Sequence, residues 1–349
     1  MKDKLCLTSA QTQTPVFPAQ PAESHWKMSD STMEADFDTD MWWGTLGSVR
    51  PFPNFRPEKD IADIQTACQQ NDMASLVRII TNRDNAQRQS LAKAYLSTTS
   101  KKLTADLKKA LYGDVETLIL DLLLTPEQFD ARRLHQAMKG VGTDEETLLE
   151  VLCTRSPLQL KGIASAYNKM YKKDLEKDLD GETSGDFTKL LLALVRKEAG
   201  MGSVKQDFKH LSEELKAEKA NVSQWIRILT TRHPDHLKRV LMRLEGHIGQ
   251  PVGEVLEKHF GGLASGDLKL GLTTLVQCIQ NPAAYLAKRL QSMKGAIVQG
   301  VLVSHCEEDL LTVRVAFLRA TGTSLYSTLQ KRFAGVFQSA LLALCRAED

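Results

Sequence analysis

The residues with the clearest chemical potential form one glycine-containing segment, Met138-Lys139-Gly140-Val141-Gly142-Thr143-Asp144. Gly140 and Gly142 have no Cβ, so the backbone can turn sharply here and direct its carbonyl oxygens inward. Such oxygens are hard ligands, and Ca²⁺ accepts a flexible set of about six to eight of them. Because carbonyls carry no net charge, a calcium site also needs a carboxylate, and Glu182 in the segment Gly181–Gly185 is the candidate.

The same segment has a simpler interpretation. Gly140 and Gly142 could merely end one helix and precede the next, because a lone Gly-x-Gly-Thr is a weak indication of a site. Glu182 also lies well beyond Gly142 in the chain, so only a fold that brings the two segments together would create a site.

Internal repeats make such a fold plausible. Four similar segments are Ile79–Arg83, Val151–Arg155, Ile228–Arg232 and Val301–His305. A large side chain follows each at the same distance, namely Tyr95, Tyr167, Leu244 and Phe317. A second set of apolar runs is Leu118–Leu124, Leu190–Val195, Leu270–Val276 and Leu341–Leu344. Recurrence about every 75 residues is typical of an array of one supersecondary unit.

The second unit predicts five helices and no strand. The first helix, Pro126–Met138, has proline in its first turn and apolar residues on one face. Thr143 is the predicted N-cap of the second helix, with Glu146 completing a capping box. The third begins at Ser156-Pro157. The last two are predicted near Asp174–Asp180 and through Leu190–Arg196, with Gly181–Gly185 as the link between them.

With these segments, the chain resembles the annexins. Both Met138–Asp144 and Gly181–Gly185 match the calcium-binding repeat of that family. Further similarities are Asn85–Gln89, Ala284–Ala287 and Thr323–Ser327. The resemblance covers roughly Gly44 to Asp349 and implies an all-α fold in which four five-helix repeats form a curved disc.

This resemblance divides the chain into a tail and four repeats. The variable, largely disordered tail is residues 1–50, and the annexin-like repeats are 51–125, 126–198, 199–281 and 282–349. Annexin tails can recruit protein partners, so Trp42 and Trp43 could either fasten this tail to the core or dock a partner. Met28 is a possible alternative start.

The resemblance also implies the ligands of the metal. The second repeat would bind Ca²⁺ through the backbone oxygens of Met138, Gly140 and Gly142 and the bidentate carboxylate of Glu182. Two further residues at the loop tip are expected to contact the membrane, Lys139 by attraction to anionic lipid and Val141 by entering the interface.

The other three repeats depart from the family pattern. Their carboxylate positions fall on Ala110, Leu263 and Arg332. Cys68–Asp72 and Lys216–Asn221 contain no glycine, and the fourth repeat keeps Met293–Ala296 but lacks the second glycine. Glu116 could support only a minor site. We therefore expect one intact site and three degenerate ones.

Composition excludes several other classes. A net charge of +2, from 45 basic and 43 acidic residues, does not resemble that of a nucleic-acid binder. No apolar run approaches the roughly 18 residues of a spanning helix. No apolar signal core follows Met1–Lys4, so the chain is not expected to be secreted by the Sec route. The scattered cysteines indicate reduced, buried thiols, with Cys153, Cys278 and Cys345 inside apolar helical runs.

Catalysis is not expected. The glycine segment is no phosphate-binding P-loop, and neither H-E-x-x-H nor G-x-S-x-G is present. Arg83, Arg155 and Arg232 recur at matching positions, which indicates structural ion pairs inside each repeat. The basic stretch from His233 to His247 is typical of a solvated helix face, although it could also hold an anionic partner.

The function predicted from the second repeat follows from incomplete coordination. Its carbonyls and carboxylate supply about five oxygens, which leaves room for water or a lipid phosphate oxygen. We expect a cytoplasmic protein, peripheral at membranes, that binds acidic phospholipid in a calcium-dependent manner. The alternative, favoured by the three degenerate loops, is a calcium-insensitive protein-interaction scaffold with weak or no membrane binding.

Overall fold

The computed structural model describes residues 46–198, 200–217, 221–260 and 266–346. Within these ranges the chain forms twenty helices and no strand, apart from one isolated bridge between Gly200 and Arg232. None of the described helices has the length and apolar character that crossing a bilayer requires. The tail and its features, including Met28, Trp42 and Trp43, lie outside the described residues.

The helices fall into four groups of five, which confirms the predicted all-α repeat array. The first group is α1 (Pro57–Gln70), α2 (Met73–Thr81), α3 (Asn85–Thr99), α4 (Leu103–Ala110) and α5 (Gly113–Leu122). The second is α6 (Pro126–Ala137), α7 (Glu145–Thr154), α8 (Pro157–Tyr171), α9 (Leu175–Glu182) and α10 (Gly185–Val195). The third is α11 (Val204–Glu214), α12 (Val222–Thr230), α13 (Pro234–Ile248), α14 (Val252–His259) and α15 (Gly266–Gln280). The fourth is α16 (Pro282–Leu290), α17 (Gly295–His305), α18 (Leu310–Thr321), α19 (Leu325–Arg332) and α20 (Gly335–Cys345).

Polar side chains cap the first turn of many of these helices. Ser156 caps α8 as predicted, and it forms a capping box with Gln159. The predicted cap at Thr143 is wrong, because Asp144 caps α7 and its Oδ1 accepts a hydrogen bond from the Thr147 amide at 3.0 Å. The left-handed Gly142 leaves Thr143 in the loop, so the next residue is the one whose short carboxylate reaches the third amide of the helix.

The large residues that defined the repeat occupy its core. Tyr95, Tyr167, Leu244 and Phe317 are all at most 2% exposed. The two tyrosine hydroxyls are satisfied in the same way, since Tyr95 donates to Asp106 at 3.0 Å and Tyr167 donates to Asp178 at 2.6 Å. Leucine and phenylalanine carry no hydroxyl, so the third and fourth repeats need no such acceptor at this position.

The recurring arginines form the predicted ion pairs inside each of the first three repeats. Arg83 pairs with Asp60 at 2.7 Å, Arg155 with Asp130 at 2.6 Å, and Arg232 with Asp207 at 2.8 Å. Each pair joins the first helix of its repeat to the end of the second. Burial raises the pKa of Asp130, but the adjacent Arg155 outweighs burial and holds that pKa below its usual value.

The first and fourth repeats contact each other although they are far apart in sequence. α20 packs against α2 and α5, and α17 packs against α5 and α6. Ahead of α1, the Val49 amide donates to the Cys306 carbonyl at 2.7 Å, and Leu46 O accepts from the Leu311 amide at 3.0 Å. The array is therefore closed on itself within the described residues.

Arg155→Leu should strongly destabilise the protein, because it leaves the Asp130 carboxylate buried without its cation. We expect a loss of about 3–5 kcal/mol in the free energy of unfolding, measured by urea denaturation. Arg196→Leu is the matched control, since it removes the exposed pair with Glu176 and should shift the midpoint far less. Equal shifts for the two variants would contradict a stabilising role for the buried pair.

Candidate metal centre

The loop between α6 and α7 contains both glycines of the candidate site. The Asp144 amide donates to the Ala137 carbonyl at 2.9 Å and closes the loop across its base. Gly140 has φ of +113° and Gly142 has φ of +86°, values that side chains rarely adopt. A Cβ at either position would meet nothing within 4 Å, so backbone conformation rather than crowding requires glycine here.

Glu182 is the last residue of α9, which corrects the prediction of a loop at Gly181–Gly185. Gly181 belongs to the same helix, and only Thr183 and Ser184 separate α9 from α10. The Thr183 amide still donates to the Leu179 carbonyl at 3.1 Å, so the helical bonding continues past the glycine. The exposed Glu182 side chain therefore extends from a helix end, a more rigid base than a loop.

One hydrogen bond joins the two parts of the candidate site. Thr143 Oγ1 donates to the backbone carbonyl of Glu182 at 3.2 Å. Thr143 thus connects the α6–α7 loop to the end of α9 instead of capping α7. The fold brings together the two segments that the sequence separates.

Four oxygen-bearing groups in this region lack protein donors. Among the described residues, none donates a hydrogen bond to the carbonyl oxygens of Met138, Gly140 and Gly142 or to the Glu182 carboxylate. The Met138 side chain is buried and anchors the loop. These acceptors are hard oxygens with one negative charge, so they fit a cation such as Ca²⁺. No cluster of three His, Cys, Asp or Glu side chains in the described ranges could hold a metal, so a site here depends on backbone oxygens.

The tip of the same loop is exposed to solvent. Val141 is fully exposed, and Lys139 is exposed beside it. Moving an exposed apolar side chain from water into an apolar environment is favourable. This geometry is compatible with the predicted contact between these two residues and a membrane.

The first repeat has a much shorter turn at the equivalent place. α1 ends at Gln70, and only Asn71 and Asp72 precede α2. Asp72 caps α2 by accepting from Ser75, and hydrogen bonding to Ser75 lowers the pKa of Asp72. The carboxylate position at Ala110 is the buried last residue of α4, so it offers no ligand.

In the fourth repeat, residues that correspond to the α6–α7 loop are part of a helix. α17 begins at Gly295, the counterpart of Gly140, so this residue belongs to a helix and not to an open loop, and the Lys294 carbonyl just before it accepts from the Val298 amide at 2.9 Å. Arg332, the last residue of α19, puts an exposed cation at the place that Glu182 occupies in the second repeat.

In the third repeat, polar groups of the described part of the first loop already have protein partners. Leu263, its predicted carboxylate position, lies outside the described residues. The described part of its first loop ends at Asn221, which caps α12 through its side chain. The Asn221 amide donates to Glu214 Oε2 at 3.0 Å, so a carboxylate near this loop already has a protein partner.

Sequence reasoning missed a charge cluster beside the candidate site. Glu150, only 1% exposed, accepts from Arg133 at 2.7 Å and from Arg289 of the fourth repeat at 3.0 Å. Burial raises the pKa of Glu150, but the two arginines outweigh it and the pKa is lowered. A charge inside the apolar run Leu148–Leu152 was the available signal, although it does not identify the partners.

A second buried carboxylate joins the first, second and fourth repeats. Asp121 contacts Arg132 and accepts from Gln299 Nε2 at 2.7 Å. Burial raises the pKa of Asp121 to about 6, against the opposing effect of Arg132. Together with Asp144 it lines a cavity of about 350 Å³, so the base of the α6–α7 loop lies next to these buried charges.

Comparison with known proteins gives consistent matches. The annexin family model matches residues 61–122, 129–194 and 288–344. Annexin A1 of Rattus norvegicus is 37% identical over 317 residues, which cover 86% of this chain and 90% of that protein. Annexin A9 of Mus musculus is 35% identical over 320 residues, covering 88% and 92%.

Solved structures agree with these matches. The structure of annexin III superposes with a TM-score of 0.84 at 33% identity, covering 88% of this chain and 99% of that one. Chicken annexin V in complex with Zn²⁺ gives a TM-score of 0.80 at 34% identity, covering 87% and 99%. The matched segments fall in the first, second and fourth repeats and do not include α11–α15.

Two glycine substitutions should act in opposite directions. Gly142→Ala forces a side chain into the left-handed region and should cost about 1–2 kcal/mol in the free energy of unfolding. Gly181→Ala, the matched control, lies inside α9 with open space around it and should stabilise by up to about 1 kcal/mol. Thermal unfolding of both variants measures the difference. A shift of the same sign in both would show that the loop does not require the φ of Gly142.

Proposed function

The chain belongs to the annexin family, whose members in general bind phospholipid in a calcium-dependent manner, and we propose that it does so through a single site in its second repeat. The carbonyl oxygens of Met138, Gly140 and Gly142 and both oxygens of the Glu182 carboxylate would hold the Ca²⁺. The observation that carries this proposal is that these four groups accept no hydrogen bond from the described residues, while Thr143 holds their two segments together.

Incomplete coordination makes the metal a bridge to lipid. Five protein oxygens are fewer than the roughly six to eight that Ca²⁺ prefers, so a phosphate oxygen of an anionic headgroup completes the shell. Each ligand then raises the affinity for the other by the same factor. Lys139 adds attraction of about 1 kcal/mol to an anionic surface, and Val141 enters the interface.

One site gives a weaker attachment than four. Linked sites bind a surface far more tightly than any one of them, because each engagement after the first is intramolecular. Ala110 and Arg332 stand where the first and fourth repeats would need a carboxylate, so neither adds a strong site. We therefore propose a protein that is peripheral at membranes and attaches reversibly as the calcium concentration changes.

The choice of metal is part of the proposal. Carbonyl and carboxylate oxygens without sulfur or imidazole favour hard cations, so Ca²⁺ should bind in preference to Zn²⁺. Chicken annexin V has been solved in complex with Zn²⁺, which makes Zn²⁺ the informative competitor for this chain as well. Binding of Zn²⁺ that leaves lipid attachment unchanged would identify a second, unrelated metal site.

Glu182→Ala should abolish most calcium-dependent lipid binding. The substitution removes the only strong anionic ligand, and a water molecule can replace its oxygens in position but not in charge. Pelleting with vesicles of phosphatidylserine and phosphatidylcholine across calcium concentration measures the effect. Because Glu182 is exposed at a helix end, stability should change by less than about 1 kcal/mol, which circular dichroism checks.

Asp186→Ala is the matched control for that experiment. It removes another carboxylate from the same end of the second repeat, where Asp186 forms an ion pair with the exposed Lys189. This variant should pellet as the unchanged protein does. If folded Glu182→Ala keeps the original calcium dependence, the single-site proposal is wrong.

Arg332→Glu should fail to create a second calcium site. The substitution supplies the missing carboxylate, but Gly295 stays inside α17 and Ile297 replaces the second glycine of the loop. Isothermal titration calorimetry should still give one strong site per chain. A second strong site would mean that the carboxylate alone determines metal binding in these repeats.

The alternative function is a calcium-insensitive interaction scaffold, in which the tail of residues 1–50 binds a protein partner. The short turn before Asp72 and the cation at Arg332 favour it, because a chain selected for strong membrane attachment would keep more than one site. Vesicle pelleting that is equal with calcium and with chelator would support the scaffold over the membrane binder.

A further inference from the structure

Two cysteines meet where the second and third repeats pack together. Cys153 lies near the end of α7 and Cys278 near the end of α15, and these helices pack against each other. Both side chains are 6% exposed. They line the same cavity of about 410 Å³, which opens to solvent, so a small molecule can reach buried sulfur from one side.

The two thiols line one cavity and influence each other. Burial and then a hydrogen bond with Cys153 raise the pKa of Cys278 well above its usual value, while nearby Lys197 acts in the opposite direction. A buried thiol with a raised pKa is the poorer nucleophile, so Cys278 is the partner that reacts second, after Cys153.

The cavity around the sulfurs is positively charged. Lys197, Lys238, Arg155 and Arg232 line it, and none of the described lining residues is acidic. The two arginines are neutralised by Asp130 and Asp207. Lys197 and Lys238, in contrast, have no carboxylate partner among the described residues. Burial lowers the pKa of Lys197, which is consistent with an ammonium group that lacks a counter-ion.

We propose that this cavity is a reaction site for small anionic disulfides, with glutathione disulfide as the reference substrate, which Cys153 and Cys278 reduce while becoming joined to each other. The lysines attract the carboxylates of the substrate, Ile279 and Pro282 add an apolar part to the lining, and both cysteines line the same cavity. This assignment is independent of the proposed calcium site.

The reaction balances without another oxidant. The Cys153 thiolate attacks one sulfur of glutathione disulfide, the sulfur–sulfur bond breaks, and one glutathione leaves with the proton that Cys153 lost. Cys278 then attacks the Cys153 sulfur of the mixed disulfide, and the second glutathione leaves with the proton of Cys278. Two electrons pass from the protein to the substrate, giving one protein disulfide and two molecules of glutathione.

Other described cysteines lack this combination. Cys306 is enclosed, and burial raises its pKa to about 12. Cys68 is half-buried on α1, where burial and then the carboxylate of Asp106 raise its pKa, so its neighbour repels anions instead of attracting them. These two cysteines serve as internal controls within the same molecule.

The test compares three disulfides of different charge on the reduced full chain, with calcium chelated. The disulfides are anionic glutathione disulfide, neutral bis(2-hydroxyethyl) disulfide and cationic cystamine. The rate at which each reacts with the protein is divided by its rate with free cysteine. Samples are quenched with N-ethylmaleimide and mapped by peptide mass spectrometry. We expect a Cys153–Cys278 linkage with Cys306 unreacted, formed fastest by glutathione disulfide and slowest by cystamine. Equal normalised rates, or a linkage elsewhere, would overturn the proposal.

Variants separate the roles of the two thiols and the charges. Cys278→Ser should trap one glutathione on Cys153, because the second displacement is lost. Lys238→Gln, at an exposed position, should slow glutathione disulfide by about tenfold without slowing the neutral disulfide, whereas Lys209→Gln on α11 should change neither rate. If Lys238→Gln and Lys209→Gln behave alike, or if glutathione collects on Cys68 instead, the cavity is not the reaction site.

Discussion

A buried arginine is stable only when it is paired with a carboxylate, and this pairing determines how the first two helices of a repeat pack. Arg155 reaches across to Asp130, and Arg83 and Arg232 do the same in their own repeats. In the second repeat the ion pair lies at one end of the α6–α7 pair, while the hydrogen bond from Asp144 to Ala137 closes the other end. The loop that carries the candidate ligands is therefore held between helices whose spacing is already determined.

This separation explains how a repeat can lose its metal site without losing its fold. The buried ion pair and the apolar core positions are kept in the first repeat, although its turn is short and Ala110 replaces the carboxylate. In the fourth repeat the apolar core is also kept, while Gly295, the counterpart of the candidate ligand Gly140, is part of α17. Glu182, the candidate carboxylate ligand, lies at an exposed helix end, so a repeat can lose a carboxylate at this place with little effect on packing.

Much of the fold could be predicted from the sequence, because the second repeat shows its five helices, the family resemblance extends them to four repeats, and the recurring arginines indicate their own ion pairs. Two local predictions were wrong, namely the residue that caps α7 and the loop at Gly181–Gly185. Thr143 and Asp144 are both residue types that cap helices, and the backbone conformation of Gly142 decides which of them caps α7. Gly181 lowers the helix propensity of α9 but does not end that helix. Glu150 was recognisable as an unusual buried charge, yet its partner Arg289 comes from another repeat and no local pattern reveals it. The ligand set around Glu182 stays a prediction, because it rests on which acceptors lack donors.

Closure of the array has a consequence for the way the chain acquires its structure. In an open solenoid each unit contacts only its neighbours, so folding can spread from any point. Here α20 packs against α2, and the residues just before α1 bond to Cys306, so the first unit stays incomplete until the last has been synthesised. Contacts between residues so distant in sequence carry a large loop-closure entropy and slow the search for the native state. During synthesis, part of the apolar surface of the first unit therefore stays exposed until the fourth unit is made. Chaperones would bind the chain mainly in this period.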